Sequence, residues 1–118
     1  MTCHCGSVEI ELTLPNGLEK LRRCNCSLCS RRNAVVASVD LENLRVVKGA
    51  ECLSLYTFNT HTAKHYFCSK CGIYTHHQRR SNPNEFGINI SCVEGVRIED
   101  YLHVGYVDGR DALSSDAE

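Results

Sequence analysis

The sequence contains no tryptophan, and aromatic residues make up only 7% of its 118 positions. Its core must therefore be packed mainly with aliphatic side chains. No run of ~18 apolar residues occurs, so no membrane-spanning helix is expected. The first residues, Met1-Thr2-Cys3-His4-Cys5, carry no apolar signal stretch, so nothing at this end marks the chain for export. Net charge is also missing: 13 Lys and Arg against 14 Asp and Glu leave -1, a balance without the field that selects nucleic acid or a membrane surface. These absences leave a cytoplasmic, soluble protein as the expectation, with no nucleic-acid or membrane partner. With 118 residues there is room for one domain, assigned to residues 1–107, followed by a polar, acidic tail over 108–118.

What the sequence has in excess is cysteine, at 9 residues. A disulfide scaffold is opposed by the odd count and by the clustering of seven of the nine, since disulfide geometry rarely joins close neighbours in the chain. In a reducing compartment such clusters hold metal more often than they oxidise. Zinc is favoured over an iron–sulfur centre.

The rest reads as strands. Val8, Ile10, Leu12 and Leu14 alternate with polar residues, the period of a half-buried strand, and Pro15-Asn16-Gly17 closes it as a turn. Residues 20–24 are expected to return as its hairpin partner. Residues 34–39 form a short apolar run, and 44–48 with 52–58 suggest a hairpin around Gly49-Ala50. Strands are also expected at 63–68, 73–76, 88–92 and 102–107, and short helices at 27–32 and 92–96. The domain is thus mainly β, antiparallel and built from hairpins.

Three clusters carry the chemistry: Cys3-His4-Cys5-Gly6, Cys24-Asn25-Cys26-Ser27-Leu28-Cys29 and Cys68-Ser69-Lys70-Cys71-Gly72. A C-x-x-C turn places two sulfurs on one ion, and a glycine after its second cysteine supplies the positive φ the turn needs. A C-x-C pair on an extended segment also chelates, because alternate side chains face the same way. Seven thiols divide as four plus three. Four fill a closed tetrahedron, as in structural zinc; three leave a position open, as in catalytic zinc. Spacing alone does not say which pairs share an ion.

With these flanks the sequence resembles the glutathione-dependent formaldehyde-activating enzyme family, which includes the centromere protein V domain. The resemblance lies in residues 3–8, in Arg23-Cys24-Asn25-Cys26-Ser27-Leu28-Cys29, in Tyr66-Phe67-Cys68-Ser69-Lys70-Cys71-Gly72-Ile73, in Tyr56-Thr57-Phe58-Asn59 and in Arg80-Ser81-Asn82-Pro83. It covers about residues 2–104, beginning almost at the first cluster, without the N-terminal segment of longer members. It implies a β-tent of antiparallel sheets around two zinc ions. Cys3, Cys5, Cys68 and Cys71 would hold the structural zinc, and Cys24, Cys26 and Cys29 the second, catalytic one. The implied activity is that of a carbon–sulfur lyase run toward addition, joining glutathione to formaldehyde as S-hydroxymethylglutathione. The competing reading is a non-catalytic, zinc-stabilised binding module like centromere protein V.

Outside the clusters, His76 and His77, with His61 and His65, are candidates for a fourth ligand or a proton carrier beside the open metal. Cys52 and Cys92 read as small core residues, Cys92 with an alternative place near that metal. The pairs Arg22-Arg23, Arg31-Arg32 and Arg79-Arg80 would bind the carboxylates of glutathione if they converge, since guanidinium matches that shape.

Overall fold

The computed structural model describes residues 1–108; the expected tail lies outside them from residue 109 onward. Among the described residues nine strands form two sheets: β1 (Glu9–Leu12), β2 (Glu19–Cys24), β3 (Val36–Asp40), β4 (Leu44–Lys48), β5 (Leu53–Tyr56), β6 (Lys64–Cys68), β7 (Tyr74–Gln78), β8 (Glu85–Asn89) and β9 (Tyr106–Val107). Seven strands run in the order β5-β6-β7-β8-β3-β2-β9, and β1 and β4 pair separately. All pairings are antiparallel except β2 with β9. The expected mainly-β architecture of antiparallel sheets is therefore the one observed. Among the described residues, no helix is long and apolar enough to cross a membrane.

Both hairpins expected in the first half of the chain are corrected. β1 pairs with β4, through Ile10 with Val46 and Leu12 with Leu44, and not with β2. Alternation tells which face of a strand is buried but not which strand lies beside it. A 3₁₀ turn at Ala50–Cys52 then re-aims the chain, so β4 and β5 enter different sheets instead of folding back on each other. The strand expected over 88–92 ends at Asn89 and gives way to a 3₁₀ turn, Ile90–Cys92, and the helix expected over 92–96 does not form. Asn89 caps that turn by accepting from the Ser91 N–H at 3.2 Å, an alternative to the ladder that short polar side chains offer. The final strand shrinks to two residues and runs parallel to β2.

The one α-helix among the described residues, α1 (Ser27–Arg32), begins and ends for local reasons. The Cys26 sulfur accepts from the Cys29 N–H, as an N-cap oxygen does elsewhere, and Asn33 stops the helix in the left-handed region at φ 51°. Arg31 and Arg32 stand in the last turn, where the helix dipole favours cations.

Two apolar clusters hold the sheets. Val35, Ala37, Val39, Ile88 and Ile90 pack beneath Leu12, Leu14, Leu21 and Leu44. Val8 and Ile10 pack with Cys3, Cys52 and Cys68, so Cys52 is a core residue, as expected. Each fully buried isoleucine here contributes about 1.5–3 kcal/mol. The second cluster wraps the sulfurs of the first and third cysteine motifs, joining hydrophobic burial to a polar centre.

Candidate metal centres and the adjoining pocket

Cys3, Cys5, Cys68 and Cys71 come together from opposite parts of the chain, with their four sulfurs within 4.8 Å of one another. Cys3 and Cys5 stand 3.7 Å apart, and Cys5 and Cys68 3.8 Å. A tetrahedron of thiolates ~2.3 Å from a common centre has edges of ~3.8 Å, so the spacing fits one zinc ion. Gly6 and Gly72, which follow the second cysteine of each motif, have φ of 78° and 79°, a conformation that side chains other than glycine rarely adopt. Backbone donors face the sulfurs: the Val8 N–H donates to Cys3 at 3.3 Å. The Ser7 hydroxyl and N–H hold the Cys5 thiol down to about 6, which prepares it as a ligand.

The second group is Cys24, Cys26 and Cys29, at the end of β2 and the start of α1, all buried and within the same 4.8 Å span. No fourth histidine, cysteine or carboxylate joins them among the described residues. The Cys26 N–H donates to Cys24 at 3.2 Å and the Cys29 N–H to Cys26 at 3.4 Å. Hydrogen bonds from Cys24 and Cys29 pull the Cys26 thiol down to about 2, while the Cys24 thiol is pushed up. Arg32 adds a charged donor, its Nη2 lying 3.5 Å from the Cys29 sulfur.

Of the two adjacent histidines, only His77 reaches this group. It lines a small pocket with Arg22, Cys24, Cys29, Arg32, Ala34 and Val36. His76 packs between Tyr66, in a stacked contact at 4.8 Å, and Phe86. Successive strand residues face opposite sides of the sheet, so the two rings diverge. A bulge sharpens the division. Tyr66 pairs with His76 but Phe67 pairs with Tyr74, leaving Thr75 as the extra residue on β7. Tyr74 and His77, three apart, thus meet on one face, with the Tyr74 hydroxyl 2.6 Å from His77 Nδ1. His65 stacks on His77 at 5.2 Å, and its Nδ1 lies 3.2 Å from Arg32 Nη1. Burial holds His65 and His76 down to about 4 and His77 well below its ordinary value, so all three are neutral near pH 7. His61 is exposed and bonds to Thr57. Cys92 donates to the Tyr74 carbonyl at 3.7 Å, away from the three-thiol group.

The arginine pairs separate in the same way. Arg22 and Arg32 turn toward the three thiols. Arg79 meets the Glu85 carboxylate at 2.6 Å, together with Lys20. Arg23 lies over Tyr106, Arg31 bonds the Ser27 carbonyl and Arg80 contacts Thr60. Tyr74 and Gly87 were not singled out from the sequence. Gly87 had a legible signal, an isolated glycine inside a strand pattern, which marks a close approach. The Arg32 guanidinium lies 3.7 Å over the Tyr74 ring and also borders a second, apolar groove of about 290 Å³, lined chiefly by Leu28, Tyr56, His65, Phe67 and Tyr74.

The chain is similar to several known proteins. A crystal structure of a Rhodobacter sphaeroides protein from structural genomics is 59% identical and superposes with a TM-score of 0.85, over 89% of this chain and 96% of that one. An Emericella nidulans protein, provisionally named a glutathione-dependent formaldehyde-activating enzyme, is 30% identical over 76 residues, 61% of this chain and 38% of its own length. A Penicillium rubens protein with the same provisional name is 28% identical over 78 residues, 63% of this chain and 40% of its own. The match thus spans about two fifths of these fungal relatives. The family model for glutathione-dependent formaldehyde-activating enzymes matches residues 1–108, and the chain belongs to that family.

Proposed function

We propose that this chain is a zinc-dependent enzyme of the carbon–sulfur lyase type, adding glutathione or a related small thiol to formaldehyde. The observation that carries the reading is the three-thiol group of Cys24, Cys26 and Cys29, which has no fourth protein ligand among the described residues and opens beside a pocket and a groove. Cys3, Cys5, Cys68 and Cys71 would hold a second zinc that ties the N-terminal strand to the sheet. Bound at the three-thiol group, zinc supplies a soft Lewis acid suited to a further thiolate.

The protein's own residues do the rest. In the addition, the thiol sulfur forms a bond to the carbonyl carbon, the C=O π pair moves to oxygen, and the thiol proton ends on that oxygen. The groove bounded by Leu28, Phe67 and Tyr74 has the volume to receive the body of the thiol. Arg32 stands between groove and thiols and orients an anionic reactant toward Cys29. His77, neutral and bonded to Tyr74, is the imidazole placed to hold or pass a proton beside Cys24 and Cys29. His76, on the far face, is left with packing.

Cobalt substitution tests the open position. A protein loaded with two Co²⁺ ions should gain sulfur-to-cobalt charge-transfer absorption when glutathione is added, and Cys26→Ser should abolish the gain. An unchanged spectrum in the fully loaded wild type would remove glutathione from the reading and leave a zinc-stabilised binding domain.

A further inference from the structure

The pocket beside Cys24 and Cys29 holds only about 10 Å³, close to the space of one water-sized group. Three of its lining residues carry a buried nitrogen with no hydrogen-bond partner: Arg22 Nη2, Arg32 Nε and His77 Nε2. Arg22 is only 9% exposed and His77 1%. A buried donor left unpaired costs about 1–3 kcal/mol, more when charged, and three around one small space point to a group that satisfies them.

Their chemistry specifies that group. Arg22 is fixed by its Nη1, which donates to the Lys20 carbonyl and the Ser38 hydroxyl, both at 2.9 Å, so Nη2 is held rigidly. Arg32 is fixed by its stack on Tyr74. His77 Nδ1 lies 2.6 Å from the Tyr74 hydroxyl; with that hydroxyl donating, the imidazole carries its proton on Nε2 and donates there. With that tautomer, the residues lining the pocket carry three unpaired donors, two of them cationic. A carboxylate, with three heavy atoms, exceeds its volume; a single oxygen or a monatomic anion fits.

We propose that Arg22, Arg32 and His77 form an oxyanion pocket that receives the carbonyl oxygen as it gains charge, a role distinct from binding the carboxylates of glutathione. The inference rests on the addition reaction proposed above. As the carbon–sulfur bond forms and the π pair moves to oxygen, that oxygen sits among the three donors until it takes up the proton released by the thiol. Donors fixed in advance where charge develops act on the transition state more than on the substrate.

Bromide, a monatomic anion with an anomalous X-ray signal, tests the pocket without reference to activity. Crystals of the zinc-loaded protein soaked in sodium bromide should show a bromide in hydrogen-bonding contact with Arg22 and Arg32, absent in Arg32→Gln and in Arg22→Gln. Bromide found only on the metal, or not found in the pocket, overturns the proposal. The kinetic counterpart is Arg22→Lys, which keeps the charge and loses the fork: kcat should fall roughly 10²-fold with KM for glutathione unchanged. Unchanged kcat in a protein that catalyses the addition would sink the oxyanion role alone. A pocket that binds bromide in a protein without catalysis would instead count against the addition reaction.

Discussion

Gly87 on β8 stands directly across from His77 on β7, and a Cβ added there would lie 2.3 Å from the imidazole Cε1. The glycine is what allows the His77 ring to lean across the sheet toward the three thiols. The same added atom would meet Val36 Cγ1 at 2.8 Å, so neither side offers free room. Gly87→Ala should therefore destabilise the domain by about 1–3 kcal/mol, as overpacking does, and displace the ring. Denaturant unfolding measures the first effect, and the His77 ring shifts in NMR the second. Wild-type stability together with unmoved His77 resonances would contradict the contact.

The two thiol groups should respond differently to the loss of one ligand. Cys68 is fully buried in the apolar cluster that also holds Cys3, so a metal there joins folding of the N-terminal strand to the sheet. Cys68→Ser should cost more than about 4 kcal/mol or yield insoluble protein, the scale of a lost metal site. Cys26→Ser should keep a cooperative unfolding transition and retain one zinc where wild type retains two, after zinc addition and desalting. Equal loss of folding in both variants would erase the distinction between a closed and an open site.

Burial holds the His76 imidazole down to about 4, below the ~6.5 of an unfolded chain. As pH falls the unfolded chain binds this proton first. Stability is thus complete above about 6.5 and declines as the pH drops toward about 4. His65, held to about 4 by burial and then by the Arg32 charge, acts in the same direction. Each ring accounts for on the order of 3 kcal/mol at most. Thiol protonation weakens metal binding over a similar range, so the informative comparison is with His76→Asn, which should flatten the profile between pH 7 and pH 5. Identical slopes in both proteins would mean that His76 does not titrate with unfolding.

Much of the candidate site was legible in the sequence, because cysteine spacing is itself local chelate geometry. The C-x-x-C and C-x-C spacings picked out all seven thiols, while their division into two groups came from the resemblance and not from spacing. Partner choice among strands was less legible. Ile10 and Leu12 announce a buried face, but their pairing with Val46 and Leu44 depends on tertiary packing. The choice between His76 and His77 needed the sheet itself, since the bulge at Thr75 decides that Tyr74 joins His77. The arginines were visible only as three pairs. That Arg22 and Arg32 line one pocket, while Arg79 is taken by Glu85, follows from tertiary packing.

The most direct test of the central claim is the exchange rate between free formaldehyde and S-hydroxymethylglutathione at equilibrium, followed by NMR magnetisation transfer. The addition proceeds without a catalyst, so the comparison with buffer alone is essential. Wild-type protein with both metal groups loaded should accelerate exchange in proportion to its concentration, and Cys26→Ser and Cys29→Ser should return it to the buffer rate. Wild type and both variants matching buffer would contradict the account.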